Sequence, residues 1–142
     1  MKFFGGHEDE KRVLFVCVEN AGRSQMAEGF FRKYAPKGWS PLSAGSRPSP
    51  EINPIAVQAM NEVGIDISKQ KPKELSDELI RASFLKVSMG CMDKIECPAV
   101  FLGNFQDWGI DDPKGKPIEK VREIRDKIEE KVKELATGLE SN

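Results

Sequence analysis

The stretch Val13-Leu-Phe-Val-Cys17-Val-Glu-Asn-Ala-Gly22-Arg23-Ser24 ends an apolar run on a thiol and sets an arginine six positions later. Five consecutive apolar or thiol residues, Val13 to Cys17, read as a strand buried on both faces. Gly22 then permits a tight turn, and Met26, Ala27, Phe30, Phe31 and Tyr34 recur at helical spacing. Cys17 is therefore predicted at a strand-to-helix loop. The first amides of such a helix lack internal acceptors and its dipole is positive there. The loop Val18, Glu19, Asn20, Ala21, Gly22, Arg23 and Ser24 can then hold a tetrahedral oxyanion beside a thiolate. Helix N-termini and neighbouring cations depress a thiol pKa from about 8.5 to as low as ~3.5, so Cys17 is the candidate nucleophile. Arg23 offers a planar fork that grips two oxyanion oxygens. Taken singly, Cys17 also reads as a small buried hydrophobe at a strand end, and Arg23 as an ordinary first-turn residue. The strand before, the glycine within and the amphipathic helix after favour the chemical reading.

Working outward, Leu42 to Ser46 reads as a second strand, followed by a loop with Pro48 and Pro50. Asn53-Pro54 is a helix start whose apolar face is Ile55, Ala56, Ala59, Met60 and Val63, ending at Gly64. Glu74 to Ala82 reads as a short helix with Leu75, Leu79 and Ile80 turned inward, and Phe84 to Met89 as a third strand. Ala99 to Leu102 gives a fourth. From Ile118 to Leu139, the residues Ile118, Val121, Ile124, Ile128, Val132 and Leu135 mark one face of a long helix. Glu123 with Lys127 and Glu129 with Lys133 stand four apart on its solvated side. Strands alternating with helices predict an α/β fold, a single domain with a four-stranded parallel sheet flanked by helices on both faces. Ligands of such sheets bind at the carboxyl ends of the strands, where Cys17, Cys91 and the loop after Leu102 would emerge.

At 142 residues the chain is of one-domain size. Residues 1–12 read as a flexible leader that holds His7, the only histidine, and residues 13–142 as the folded domain. With 22 basic and 23 acidic residues the net charge is -1, which argues against binding nucleic acid or a membrane through bulk charge. A small anionic substrate must be attracted locally. Neither a membrane span nor a signal-peptide apolar core is present, so a cytoplasmic location is expected. The chain has 3 cysteines, Cys17, Cys91 and Cys97. An odd count in a cytosolic protein argues against a static disulfide framework and suits a thiol relay. Thiolate attack on an oxyanion expels an oxygen, which leaves more easily when protonated, and Asp112-Pro113 in a loop-rich segment is the candidate acid. Taken alone, Asp-Pro is usually only a turn.

The run from Val13 to Arg32, with Ser43-Ala-Gly45, Asn53-Pro54, Val63-Gly-Ile-Asp-Ile-Ser68 and Asp111-Asp112-Pro113, resembles the low-molecular-weight protein tyrosine phosphatase superfamily. Within it, the chain is similar to the thioredoxin-coupled arsenate reductases. The resemblance implies the same four-stranded parallel fold, with Asp112 rather than Asp111 as the general acid. It implies that Ser24 donates to the Cys17 thiolate and that Asn20 braces the loop. It also implies a relay in which Cys91 attacks arsenylated Cys17 and Cys97 then attacks Cys91, with no bound cofactor and an external thiol such as thioredoxin as reductant. The Cys91-to-Cys97 spacer reads one residue shorter than the family form. Some reductases bind a monovalent cation near this loop. Asn20, Glu28 and Ser43 match that site, but Lys71 and Lys73 stand where its other ligands would be, so no metal is expected. An alternative reading is a phosphatase of phosphotyrosine or a small phosphoester, and a third is an idle oxyanion-binding module. Lys114-Gly115-Lys116 follows Asp112-Pro113 where the phosphatase branch often has aromatic residues, which favours arsenate over an aryl phosphate.

Overall fold

The computed structural model describes residues 10–90 and 104–140. Among these, β1 is Lys11–Cys17, α1 is Arg23–Tyr34, β2 is Trp39–Gly45, α2 is Pro54–Asn61 and α3 is Asp77–Ala82. They are followed by β3 at Leu85–Ser88, β4 at Gln106–Asp107 and α4 at Ile118–Glu140. Residues 1–9 of the expected leader with His7, the two thiols Cys91 and Cys97, and the strand expected at Ala99–Leu102 lie outside the described residues, whereas Lys11 and Arg12, also expected in the leader, belong to β1 because they pair with Trp39 and Ser40 of β2. The sheet order is β2-β1-β3-β4, and all three pairings are parallel. The α/β architecture expected from the alternation of elements is the one observed.

β1 is central, and its alternation decides both cores. Val13, Phe15 and Cys17 face one side with Met26, Ala27, Phe30, Phe31, Met60, Ile124, Ile128 and Val132, so α1, α2 and α4 cover that face. Leu14 and Val16 face the other side with Ala44, where Leu42, Leu75, Leu79, Ile80 and Phe105 pack. Period-two alternation on a strand buried on both faces produces this division. Phe15 is fully buried, edge-on to Phe31 at a 5.9 Å centroid distance and tilted against Trp108 at 5.7 Å. Each such side chain contributes about 1.5–3 kcal/mol by leaving water.

Several boundaries differ from the sequence reading. β2 begins at Trp39 rather than Leu42, because β1 from Lys11 onward offers it a ladder. Pro41 is tolerated within it since β2 is an edge strand. The helix expected from Glu74 starts at Asp77. The Ser76 side chain accepts from Leu79 N at 3.1 Å and caps it there, while Glu74 instead bridges Gly45 in parallel. Asn53 caps α2 as expected, accepting from Ile55 N at 3.0 Å with Pro54 at the first helical position. On α4, Glu129 pairs with Lys133 at 3.8 Å, whereas Glu123 meets Lys120 at 3.7 Å.

The buried face of α4 also carries Arg125, which donates to Ala59 O at 2.9 Å and to Glu62 at 2.8 Å. Arg122 grips the same carboxylate with two hydrogen bonds, at 2.9 and 2.7 Å. Arg122, and then Arg125, hold the Glu62 carboxyl down from 4.5 to about 2. A depressed carboxyl stabilises the fold above its ordinary value and loses that contribution as the pH falls through its folded value. Glu62→Gln is therefore expected to lower the melting temperature at pH 7, with the gap to the parent chain closing between pH 4.5 and 2. Thermal unfolding across that range checks it, and a gap independent of pH would refute the assignment.

Candidate active site

Strand β1 delivers Cys17 to the carboxyl edge of the sheet, between strands whose connections run to opposite sides. In open parallel sheets this switch point is where ligands bind. The loop after Cys17 turns through Asn20, which adopts φ 51, a left-handed conformation that asparagine tolerates better than most residues. Gly22 is the residue before α1, with φ -135, so positive φ does not explain it. Space does: a Cβ at Gly22 would lie 3.1 Å from Pro113 Cγ. Gly45 answers a similar need, since a Cβ there would come within 2.5 Å of Val18 O. The end of β2 thus lies against the backbone of the loop.

The loop is held from outside by residues 47–53. Arg47 N donates to Val18 O at 2.8 Å, Ser49 N to Glu19 O at 2.9 Å and Asn53 N to Ala21 O at 2.8 Å. These three carbonyls are thereby committed away from any anion at the sulfur. Inside the loop, Cys17 Sγ and Ser24 Oγ are 2.8 Å apart and both residues are buried. Asn20 Nδ2 donates to the same Ser24 oxygen at 2.7 Å. Asn20 takes one lone pair of the Ser24 oxygen, and the Ser24 hydroxyl hydrogen is available to a Cys17 thiolate, which can only accept. Asn20 Oδ1 is fixed in turn by Lys73 N at 2.8 Å and Gln25 Nε2 at 3.0 Å, and Gln25 is fixed by Gln70 at 2.7 Å. No side chain of this network is left unsatisfied among the described residues.

Arg23 is the first residue of α1, and its side chain is only 11% exposed. Its Nη1 donates to Ile110 O at 2.8 Å and lies 3.5 Å from Met89 O. That fixes the guanidinium plane and leaves the Nε–Nη2 edge for a bidentate grip on an oxyanion. Nη2 lies 3.8 Å from Asp112 Oδ2. Asp111 points elsewhere, pairing with Lys120 at 3.4 Å.

These groups line one cleft of about 520 Å³ with Val18, Glu19, Arg47, Ser49, Glu51, Pro113 and Lys114 among its walls. Among the described residues, no aromatic ring lines it. Of the expected site residues, Cys17, Val18, Glu19, Ala21, Gly22, Arg23 and Asp112 all line the cleft, while Asn20 and Ser24 sit behind it, buried, as supports. Sequence reasoning missed Gln25, Gln70, Arg47 and Ser49, none of which lies in a motif of its own. A chemical need to satisfy Asn20 was the only signal for the glutamines.

Of the residues matched to a cation site, Ser43 meets Glu28, and Glu28 stands beside an ammonium. Glu28, largely buried, accepts from Ser43 Oγ and from Arg32 Nη2 at 2.6 Å. Lys73 Nζ lies 3.8 Å from Glu28 Oε1 and donates to Lys71 O at 3.0 Å. A fixed positive charge at that place repels a cation, so these residues do not fit a bound monovalent ion.

The profile of the "Low molecular weight phosphotyrosine protein phosphatase" family matches residues 12–142. Arsenate reductase 2 of Staphylococcus saprophyticus is 38% identical over 129 residues, covering 89% of this chain and 97% of the relative. A solved structure described as an arsenate reductase in the phosphate binding state superposes with a TM-score of 0.78 at 34% identity, covering 90% of this chain and 98% of that one. A thioredoxin-dependent arsenate reductase of Corynebacterium glutamicum gives 0.75 at 37% identity, over 92% of this chain and 62% of the other.

The contact between Ser24 and the sulfur makes the first test of the site. Ser24→Ala is expected to slow alkylation of Cys17 by iodoacetamide at pH 7 about tenfold, the equivalent of one hydrogen bond to a charged group of about 1.5 kcal/mol. Stopped-flow alkylation followed by mass analysis reads the rate, and an unchanged rate would mean that the hydroxyl does not support the thiolate.

Proposed function

This chain belongs to the low molecular weight phosphotyrosine protein phosphatase family, and we propose that it reduces arsenate to arsenite through Cys17 and a three-thiol relay. The observation that carries this reading is the position of Gly90, the last described residue before Cys91. A Cβ there would lie 3.0 Å from Arg23 Nη1, so the described chain stops, one residue short of Cys91, beside an arginine that itself lines the cleft. The sequence supplies the two further thiols that a relay needs, Cys91 directly after Gly90 and Cys97 six positions later.

The chemistry follows from the groups already described. The Cys17 thiolate attacks arsenic while the Nε–Nη2 edge of Arg23 and the loop amides hold the remaining oxygens. Asp112 hands a proton to the departing oxygen, which leaves as water. The Cys91 thiolate then attacks Cys17 Sγ. The sulfur–sulfur bond forms, and the electron pair of the sulfur–arsenic bond stays with arsenic, which leaves as arsenite. Attack of Cys97 on Cys91 frees Cys17 and moves the disulfide outward, where an external dithiol of the thioredoxin kind reduces it. A reducing compartment such as the cytoplasm keeps all three thiols available between turnovers. No helix among the described residues is long and apolar enough to cross a membrane.

Phosphate has nearly the shape of arsenate, so competition by phosphate and a weak phosphatase activity accompany this reading. A small oxyanion is favoured over an aryl ester because no ring among the described residues of the cleft wall is there to sandwich a substrate ring. Three serine variants decide between the readings. Cys17→Ser is expected to abolish both arsenate turnover and aryl phosphate hydrolysis, whereas Cys91→Ser and Cys97→Ser abolish only arsenate turnover. NADPH oxidation with thioredoxin and thioredoxin reductase reads the first activity and release of a coloured phenol reads the second. Arsenate turnover that survives loss of Cys91 or Cys97 would reject the relay, and hydrolysis without any arsenate turnover in the parent chain would leave a phosphatase.

A further inference from the structure

We propose that Glu19 and Lys114 form a charged latch that holds the Asp112 loop down on the nucleophile loop, making both of them positioning residues for the acid step. This rests on the assignment of Asp112 as the general acid. Lys114 Nζ donates to Glu19 Oε2 at 2.8 Å, joining residues 95 positions apart, one from the loop after Cys17 and one from the loop that carries the acid. The backbone of the same lysine orients the acid, since Lys114 N donates to Asp112 Oδ1 at 3.0 Å. That leaves Asp112 Oδ2 as the oxygen facing Arg23, at 3.8 Å.

The two sides of the latch are prepared for it. Ser49 Oγ donates to Glu19 Oε1 at 3.2 Å, so both carboxylate oxygens have a partner. The hydrogen bond from Lys114, with Ser49 and the nearby charge of Arg47 acting in the same sense, holds the Glu19 carboxyl below its usual range. The pair is therefore charged on both sides at neutral pH. On the opposite loop, Lys116 N bonds Pro113 O at 3.0 Å and Gly115 takes φ +74, closing a tight turn that lets Lys114 reach back. Pro113 seats on Gly22, where any Cβ would crowd its ring. Asp112, Pro113 and Lys114 thus dock as one unit, with the ring in the gap at Gly22 and the ammonium on Glu19.

The ion pair is exposed, with 67% of the Lys114 side chain and 37% of Glu19 open to solvent, so its effect on loop closure is limited to about two- to fivefold. The test compares the full-length reduced protein with Glu19→Gln, Lys114→Met and the double variant. In each single variant the amide order parameters of Lys114 and Gly115 are expected to fall and the NMR contact between Gly22 and the Pro113 ring to weaken. kcat for arsenate with the thioredoxin system should drop by about two- to fivefold while KM stays unchanged, and the double variant should lose no more than either single one. Order parameters and contact identical to the parent's would overturn the latch. So would additive losses in the double variant, or a change confined to KM, which would make Lys114 an attractor of the anion instead. If the parent chain turns over no arsenate, the functional reading fails on its own, and the NMR comparison still decides whether the latch exists.

Discussion

A hydroxyl held against a buried sulfur is the interaction on which the rest of this molecule depends. Ser24 meets Cys17 while Asn20 donates to the same hydroxyl oxygen, and Asn20 does so from a left-handed conformation held by Lys73 and Gln25. Lys73 stands at that point because the chain beyond it runs beside the end of β2, with Gly45 N bonded to Lys73 O and Leu75 N to Gly45 O, both at 2.8 Å. A side chain at position 45 would enter the backbone of the loop. The arrangement around one sulfur atom therefore fixes residues from β2, α1 and the connection before α3. A buried network of this kind is costly when partly satisfied, which is why its members reach so far along the chain.

How much of this was legible in the sequence follows from the range of the forces involved. The strand at Val13 to Cys17, the helix behind it, the cap at Asn53 and the stripe of α4 are local patterns, and each appears where the pattern stands. The start of β2 at Trp39 and the delay of α3 to Asp77 were not legible, because both are decided across the fold. β1 recruits residues 39–41 through its ladder, and Gly45 recruits Glu74 into a bridge before Ser76 can cap a helix. Gly22 was legible as a glycine but not for the right reason, since its neighbour Pro113 lies far away in the chain. Asp112 could be told from Asp111 only by resemblance. In three dimensions the distinction needs none, as Asp111 turns to Lys120 and Asp112 to the cleft.

Charge in the cleft is arranged in pairs rather than as a positive field. The chain as a whole is close to neutral, and around the nucleophile Arg23 stands near Asp112 and Lys114 is paired with Glu19. Attraction of an oxyanion thus falls on the Arg23 edge that its carbonyl partners leave open and on the amides at the start of α1. The same balance explains the ammonium beside Glu28. A buried carboxylate under the loop needs a permanent partner, and Lys73 and Arg32 supply it from the chain itself.

Arg23 joins the described parts of the proposed reaction. Its position as the first residue of α1 ties it to the nucleophile loop, and its Nη1 reaches Ile110 O in the stretch leading to the acid and faces Met89 O at the end of β3. Gly90, the gateway to Cys91, lies directly against the same guanidinium. Substitution by lysine would keep a positive charge but lose the planar fork, so one ammonium would have to choose between carbonyl and oxyanion. Arg23→Lys is therefore expected to cost more than a change in anion affinity. Because the carbonyl contacts fix where β3 ends and where the acid loop begins, it should lower arsenate kcat as well as raise KM, by one to two orders of magnitude in kcat/KM for the loss of about 1.5–3 kcal/mol of charge-assisted hydrogen bonding. Steady-state kinetics with arsenate as the varied substrate separate the two constants. An effect confined to KM would reduce Arg23 to an anion clamp and leave the loops to be positioned by other contacts.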